Sequence, residues 1–193
     1  MESPENWIEE IRKGNQNALS KLIVEFQDRV FNSVISIVQN PEDAQEITQD
    51  VFIEVYHSAD KFRGDSKLST WIYRIANNKA LDHLRKKKRK KRFAFITSLF
   101  DPHSGEQVFD QPNFEHPGVI LEQKENAKYL FAAIDKLSAK QKQAYVLNKI
   151  EGLPNKEIAE IMDMSLSSID SLLHRAKGSL RKELEGFYNK MKD

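Results

Sequence analysis

Three sets of side chains in this sequence have the types and spacing to bind a charged polymer. Trp71, Arg74, Asn78 and Arg85 follow one another at three, four and seven residues, so on a helix they share one face, with Ile72, Ile75, Ala76 and Ala80 opposite. Arg85 also heads an unbroken run of eight basic residues ending at Arg92. Bases attract phosphates and an aromatic ring stacks on unpaired bases, so this face reads as a nucleic-acid surface. Trp71 as an ordinary core aromatic fits the spacing equally well. Near the C-terminus, Ser167, Ser171, His174 and Arg175 point away from a helix whose Ile169 and Leu173 face inward. Small donors and one base suit phosphates or base edges; a helical bundle without a ligand is the plainer reading of the same pattern. The third set is Asp43, Glu46, Asp50 and Glu54, spaced three, four and four, beside a stripe of Ala44, Ile47, Val51 and Val55. Each like-charged pair one turn apart costs about a few tenths of a kcal/mol. A basic protein partner would relieve that repulsion, and on composition alone a solvated face is the simpler reading.

The elements that must carry these residues are helices. Ser3-Pro4 reads as a helix start and Gly14 as its stop. A second helix is predicted over about Asn17 to Gln39, with Leu19, Leu22, Phe26, Val30, Val34 and Val38 at three- and four-residue steps. Asn40-Pro41 breaks it and opens a third, over roughly Glu42 to Ser58. Residues 62–67 read as a loop, after which Ser69 or Thr70 caps a fourth helix running into the basic run. In the C-terminal part, Ser138 and Gln141 form a capping box. Helices stopping at Gly152, starting after Pro154 and restarting at Ser165 make a helix-turn-helix, whose second helix suits the major groove.

Between these parts the composition changes. Residues 93–118 hold three of the six prolines, five of the eleven phenylalanines and four acids (Asp101, Glu106, Asp110, Glu115), with no Lys or Arg and no helical period. The expected fold class is therefore all-α: two small helical domains, residues 1–92 and 123–193, joined by an extended acidic linker over 93–122.

The 193 residues carry a formal charge of +1, and the absence of cysteine excludes disulfides, thiol nucleophiles and cysteine metal sites. No apolar stretch is long enough to span a membrane, and the acidic N-terminus lacks the pattern of an export signal, so no membrane insertion and a cytoplasmic location are expected. His103 and His116, with Asp101 or Glu115, are the best candidates for a metal hydrolase, but they sit in the linker without helical spacing. No Gly-rich phosphate loop, nucleophile elbow or helical zinc motif accompanies them. Neither catalysis nor a metal or cofactor is expected.

Taken together, the motifs resemble a bacterial RNA polymerase sigma factor of the extracytoplasmic-function (ECF) type. The stretch from Pro41 to Phe52 resembles that family's region 2.2. Phe62-Arg63-Gly64, the run from Ser69 to Asn78 and the run from Ala80 to Arg85 resemble regions 2.3 and 2.4. Glu151-Gly152-Leu153, Glu157-Ile158-Ala159 and His174-Arg175-Ala176 resemble region 4. The resemblance implies that Asp43, Glu46, Gln49 and Asp50 dock on core RNA polymerase. It implies that Phe62, Arg63, Trp71, Arg74, Asn78, Asp82 and Arg85 hold the melting −10 promoter element, with Lys86, Lys87, Lys88 and Arg89 on phosphates. Ser167, Ser168, Ser171, His174 and Arg175 would face the −35 element. An anti-sigma protein is a further candidate partner, and the free chain is expected to be a monomer. Where the family commonly has bases on the recognition helix this chain has Asp170 and Leu172, and residues 135–185 hold nine bases against eight acids, so phosphate attraction there is weak. The alternative class is a free-standing helix-turn-helix regulator that binds duplex DNA unaided.

Overall fold

The structure is a computed structural model; it describes the backbone of residues 4–100 and 124–190 and the side chains of residues 6–90 and 127–185. The described residues form helices and connecting turns, with no strand among them. Helix α1 spans Pro4–Arg12, α2 Gln16–Val38, α3 Pro41–His57 and α4 Leu68–Phe100, with a 3-10 turn at Ala59–Lys61. The C-terminal part contains α5 (Lys124–Asp135), α6 (Ala139–Lys149), α7 (Asn155–Met162) and α8 (Leu166–Lys190).

Local chemistry sets these boundaries. Gly14 takes φ +83°, open to glycine without strain, and Asn15 then caps α2 by accepting from the Asn17 and Ala18 amides. Asn40 accepts from the Asp43 amide at 2.7 Å while Pro41 occupies the first helical position, where its missing donor costs nothing. The capping box at α6 is closed in both directions, Ser138 N–H to Gln141 at 3.1 Å and Gln141 N–H to Ser138 at 3.4 Å. Asp163 turns the chain between α7 and α8 at φ 51°, a conformation that Asp tolerates better than most side chains.

Two expectations change. Neither Ser69 nor Thr70 caps α4, because the helix already begins at Leu68, and Thr70 is buried inside it. Residues 93–100, read as the start of the linker, continue α4. No Gly or Pro interrupts the sequence from Leu68 to Asp101, so nothing stops the helix before the residue that precedes Pro102. The remainder of the linker up to residue 123, with Asp101, Glu106, Asp110, Glu115, His103 and His116, lies outside the described residues.

The N-terminal unit buries the stripe Leu22, Phe26, Val30 and Val34 of α2 against Ala44, Ile47, Val51 and Val55 of α3 and Ile72, Ala76 and Ala80 of α4. The C-terminal unit closes over Ala144, Leu147, Ile158, Ile161, Ile169, Leu172 and Leu173. Each Val, Leu, Ile or Phe among them contributes about 1.5–3 kcal/mol when fully buried.

The two units also share apolar surface. Phe131, Ile134 and Leu137 of α5 and its exit continue the N-terminal core, and Tyr73 of α4, 2% exposed, sits in the C-terminal one. Gln39 donates to the Phe131 carbonyl at 3.0 Å. The buried Lys142 ammonium bonds Asp135 at 2.6 Å and reaches the Ile37 carbonyl at 3.4 Å. Removing Asp135 would strand that charge away from water.

Candidate nucleic-acid interface

Helix α4 and the loop before it carry the first candidate surface. Arg63 is exposed in the loop, and Asn78, Asp82, Arg85, Lys86, Lys88 and Arg89 are exposed along α4. Phe62 is buried, with its ring centroid 5.3 Å from that of the half-buried Trp71. The pair anchors the loop to the helix, so in this conformation the Phe62 ring does not face solvent. Asp82 and Arg85 pair at 2.8 Å one turn apart on the helix surface.

The same surface meets the C-terminal unit. Lys67 pairs with Glu157, and the Arg74 guanidinium donates to the Glu160 carbonyl, both on α7. Tyr73 donates to Glu151 at 2.7 Å, and the Arg29 guanidinium lies 5.7 Å from the centre of the Tyr73 ring. Burial pushes the Glu151 carboxyl above its ordinary value, against the opposing pull of the Tyr73 hydroxyl and the Arg29 charge. The aromatic–basic face is therefore present, and α7 covers its N-terminal end.

The acidic stripe of α3 divides. Asp43 turns to α4, where it accepts from Lys87 at 2.9 Å and meets His83 Nε2 at 3.1 Å. Its burial works to raise its pKa, but the Lys87 bond and the two neighbouring charges outweigh this and hold it below the ordinary value. Glu54 likewise faces Lys79 at 3.8 Å. The repulsion that a partner was expected to relieve is thus relieved within the chain at these two positions. Lys87, in turn, points at a carboxylate rather than outward like its neighbours Lys86, Lys88 and Arg89. Glu46, Gln49 and Asp50 remain exposed.

Beside Gln49 runs a groove that the charge pattern does not reveal. Leu19, Ile23, Phe52, Ile53 and Tyr56 line it between α2 and α3, with Ile53 55% and Tyr56 43% exposed. The signal in the sequence is faint: Ile53 and Tyr56 are apolar residues outside the buried stripe of α3. Scattered exposed apolar side chains are ordinary, whereas a contiguous apolar groove is a candidate docking surface.

On α8, Ser167, Ser171, His174 and Arg175 are exposed along one face. Ser168 is half-buried, and its hydroxyl lies 2.8 Å from that of Ser165, in the cap of the helix. Asp170 joins this face, sharing a shallow concavity with Ser171, His174 and Arg175. Leu172 is buried in the C-terminal core, so a base at this position would lie against apolar side chains. No cluster of His, Cys, Asp and Glu able to hold a metal occurs among the described residues.

Comparison with known proteins matches the sigma-70 region 2 family over residues 22–90 and the sigma-70, region 4 family over residues 127–180. The chain is 30% identical over 187 residues to the ECF RNA polymerase sigma-E factor of Escherichia coli (strain K12), covering 92% of each chain. It is 27% identical over 184 residues to the RNA polymerase sigma-H factor of Pseudomonas aeruginosa, covering 95% of each. The fold resembles that of CnrH bound to the cytosolic domain of CnrY, with a TM-score of 0.68 at 19% identity over 96% of this chain and 99% of that one. It also resembles the sigma factor RpoE of Bartonella quintana bound to the anti-sigma factor NepR, with a TM-score of 0.64 at 22% identity over 86% and 96%.

Proposed function

The chain belongs to the ECF sigma factors of bacterial RNA polymerase, and on that premise we propose how its surfaces divide the work. It binds core polymerase, selects promoters and initiates transcription of a particular gene set. Helix α4 serves the −10 element: Trp71 and Asn78 lie against the exposed strand, Arg63 sits in the loop beside it, and Arg74, Arg85, Lys86, Lys88 and Arg89 supply phosphate attraction. Phe62 and Asp82 shape that face, Phe62 by holding Trp71 and Asp82 by holding Arg85. The exposed face of α8, Ser167, Ser171, His174 and Arg175, with Ser168 in its cap, serves the −35 element.

Docking on polymerase uses Glu46, Gln49 and Asp50 together with the adjoining apolar groove. An acidic rim beside an apolar groove fits a helical partner that offers both bases and apolar side chains. Asp43 is better read as the residue that clamps α3 to α4 through Lys87 and His83.

The observation that carries this reading is the pairing, on one chain, of an aromatic–basic helix face with a separate helix-turn-helix. A free-standing regulator needs only the second. In the arrangement observed α7 lies on the −10 face, so joining polymerase must part the two units before both can meet DNA. The chain performs no catalysis itself and works as a monomer in the cytoplasm. An anti-sigma protein is a candidate partner, as the anti-sigma factor NepR is for RpoE.

The test is gel filtration with bacterial core RNA polymerase. Wild-type chain is expected to co-migrate, and Ile53→Glu and a Glu46→Lys/Asp50→Lys variant to lose at least tenfold in affinity, corresponding to about 1.4 kcal/mol. A wild-type chain that stays free and binds duplex promoter DNA unaided overturns the reading.

A further inference from the structure

The recognition helix carries an acid on its exposed face, where a base would bind DNA more strongly. Asp170 is not a loose surface carboxylate. Its Oδ1 accepts from the Asn155 amide nitrogen at 2.7 Å, and the Asn155 oxygen accepts from Asn148 at 3.1 Å. Asn148 is fixed in turn, because the same nitrogen donates to the Leu153 carbonyl at 3.3 Å. This relay also settles which way the Asn155 amide faces: its oxygen is taken by a donor, so its nitrogen must point at Asp170. Asn155 of α7, itself held by Asn148 of α6, thus fixes one oxygen of the α8 carboxylate. The other has no partner among the described residues, and Asp170 lines a shallow concavity with Ser171, His174 and Arg175.

The geometry points to Asp170 as a specificity-determining residue that accepts a hydrogen bond from the exocyclic amine of a cytosine in the −35 element. The inference rests on the sigma-factor reading of α8 and adds a residue and a base to it. An ionised carboxylate only accepts, so it needs a base edge that only donates. In the major groove cytosine offers an amine and no neighbouring acceptor. Adenine sets the N7 acceptor beside its amine, guanine presents O6 and N7, and thymine presents O4 and a methyl group. Guanine and thymine therefore leave the carboxylate unpaired, and adenine offers its amine only beside an N7 that repels it. The same charge weakens phosphate attraction everywhere, so Asp170 gives discrimination at the expense of affinity. His174, one turn further along the same face, is placed to donate to a purine edge nearby.

The experiment is enrichment of promoter DNA randomised across the −35 element by the reconstituted holoenzyme. Wild type is expected to prefer cytosine at one position by roughly five- to tenfold, the lower part of the range for direct base readout. Asp170→Ala flattens that position and leaves the others. Asp170→Asn moves the preference to adenine, whose paired donor and acceptor an amide matches. Asn155→Ala weakens the cytosine preference without changing its identity, an effect that a merely supporting role for Asp170 would not give. Both sites are exposed or half-exposed, and an unchanged circular dichroism melt confirms that each of the three variants is folded. Enrichment by Asp170→Ala indistinguishable from wild type, or a loss of affinity uniform across sequences, overturns the assignment alone. A wild-type holoenzyme that enriches no upstream sequence overturns the reading of α8 and this inference with it.

Discussion

Replacing Tyr73 by alanine removes a side chain of the N-terminal unit from the core of the C-terminal one. The ring is 2% exposed and its cluster partners, Ala144, Leu147, Ile158, Ile161, Ile169, Leu172 and Leu173, all come from α6, α7 and α8. A buried aromatic truncated to alanine costs about 3–5 kcal/mol. The hydroxyl bond to Glu151 is part of that sum, and its loss leaves a half-buried carboxylate short of a partner. Because the lost contacts cross between the units, the cost falls on their docking and not on either fold. At ~1.4 kcal/mol per tenfold, the ratio of docked to parted chain drops by roughly a hundred- to a few thousandfold. Docking also covers Arg74, so the affinity of the free chain for a single-stranded −10 oligonucleotide is reduced by the fraction parted. Tyr73→Ala is therefore expected to bind such an oligonucleotide at least tenfold more tightly by fluorescence anisotropy, with helix content unchanged. Tyr73→Phe, which keeps the ring, should gain much less. Binding by Tyr73→Ala within twofold of wild type, in a chain with native circular dichroism, would refute the claim that this ring holds the units together over the DNA face.

Acidification should tighten the same docking. The Glu151 carboxyl is raised by burial in the docked state, so the docked state holds the proton more firmly than the parted one. Its contribution is complete below the ordinary value of 4.5 and is lost as pH rises through the raised value. Energy transfer between labels on α3 and α6 should increase as pH falls through that window, and Glu151→Gln should abolish this part of the change. Ser138→Ala opens the capping box of α6 and is expected to lower stability by about 1 kcal/mol, read as a shift in the urea midpoint without a change in slope.

Much of this protein is written in local chemistry. The helices of the N-terminal unit, the Asn40-Pro41 break, the capping box at Ser138 and the turn at Asp163 depend on near neighbours, and periodicity and capping rules locate them to within a few residues. Four of the five residues expected to face the −35 element are exposed for the same reason, since a helix that buries Ile169 and Leu173 must turn its other side outward. The end of α4 escaped because residues 93–118 taken together change composition and lack a helical period, whereas residues 93–100 by themselves hold no breaker and Pro102 is the first one.

What tertiary structure alone decided is which neighbour each functional side chain meets. Asp43 and Asp50 are nearly equivalent on a helical wheel, yet Asp43 meets Lys87 and His83 while Asp50 stays exposed, because α4 brings its bases to Asp43 and Glu54 at the two ends of the stripe and leaves Asp50 between them. Tyr73 has the spacing of a residue in its own unit's core but enters the core of the other, and Asp170 looks like a lost base until Asn155 is seen to hold it. Helical periodicity reports direction around one axis. It carries no information about partners dozens of residues away, and those partners determine whether a charge here is neutralised, covered or left exposed.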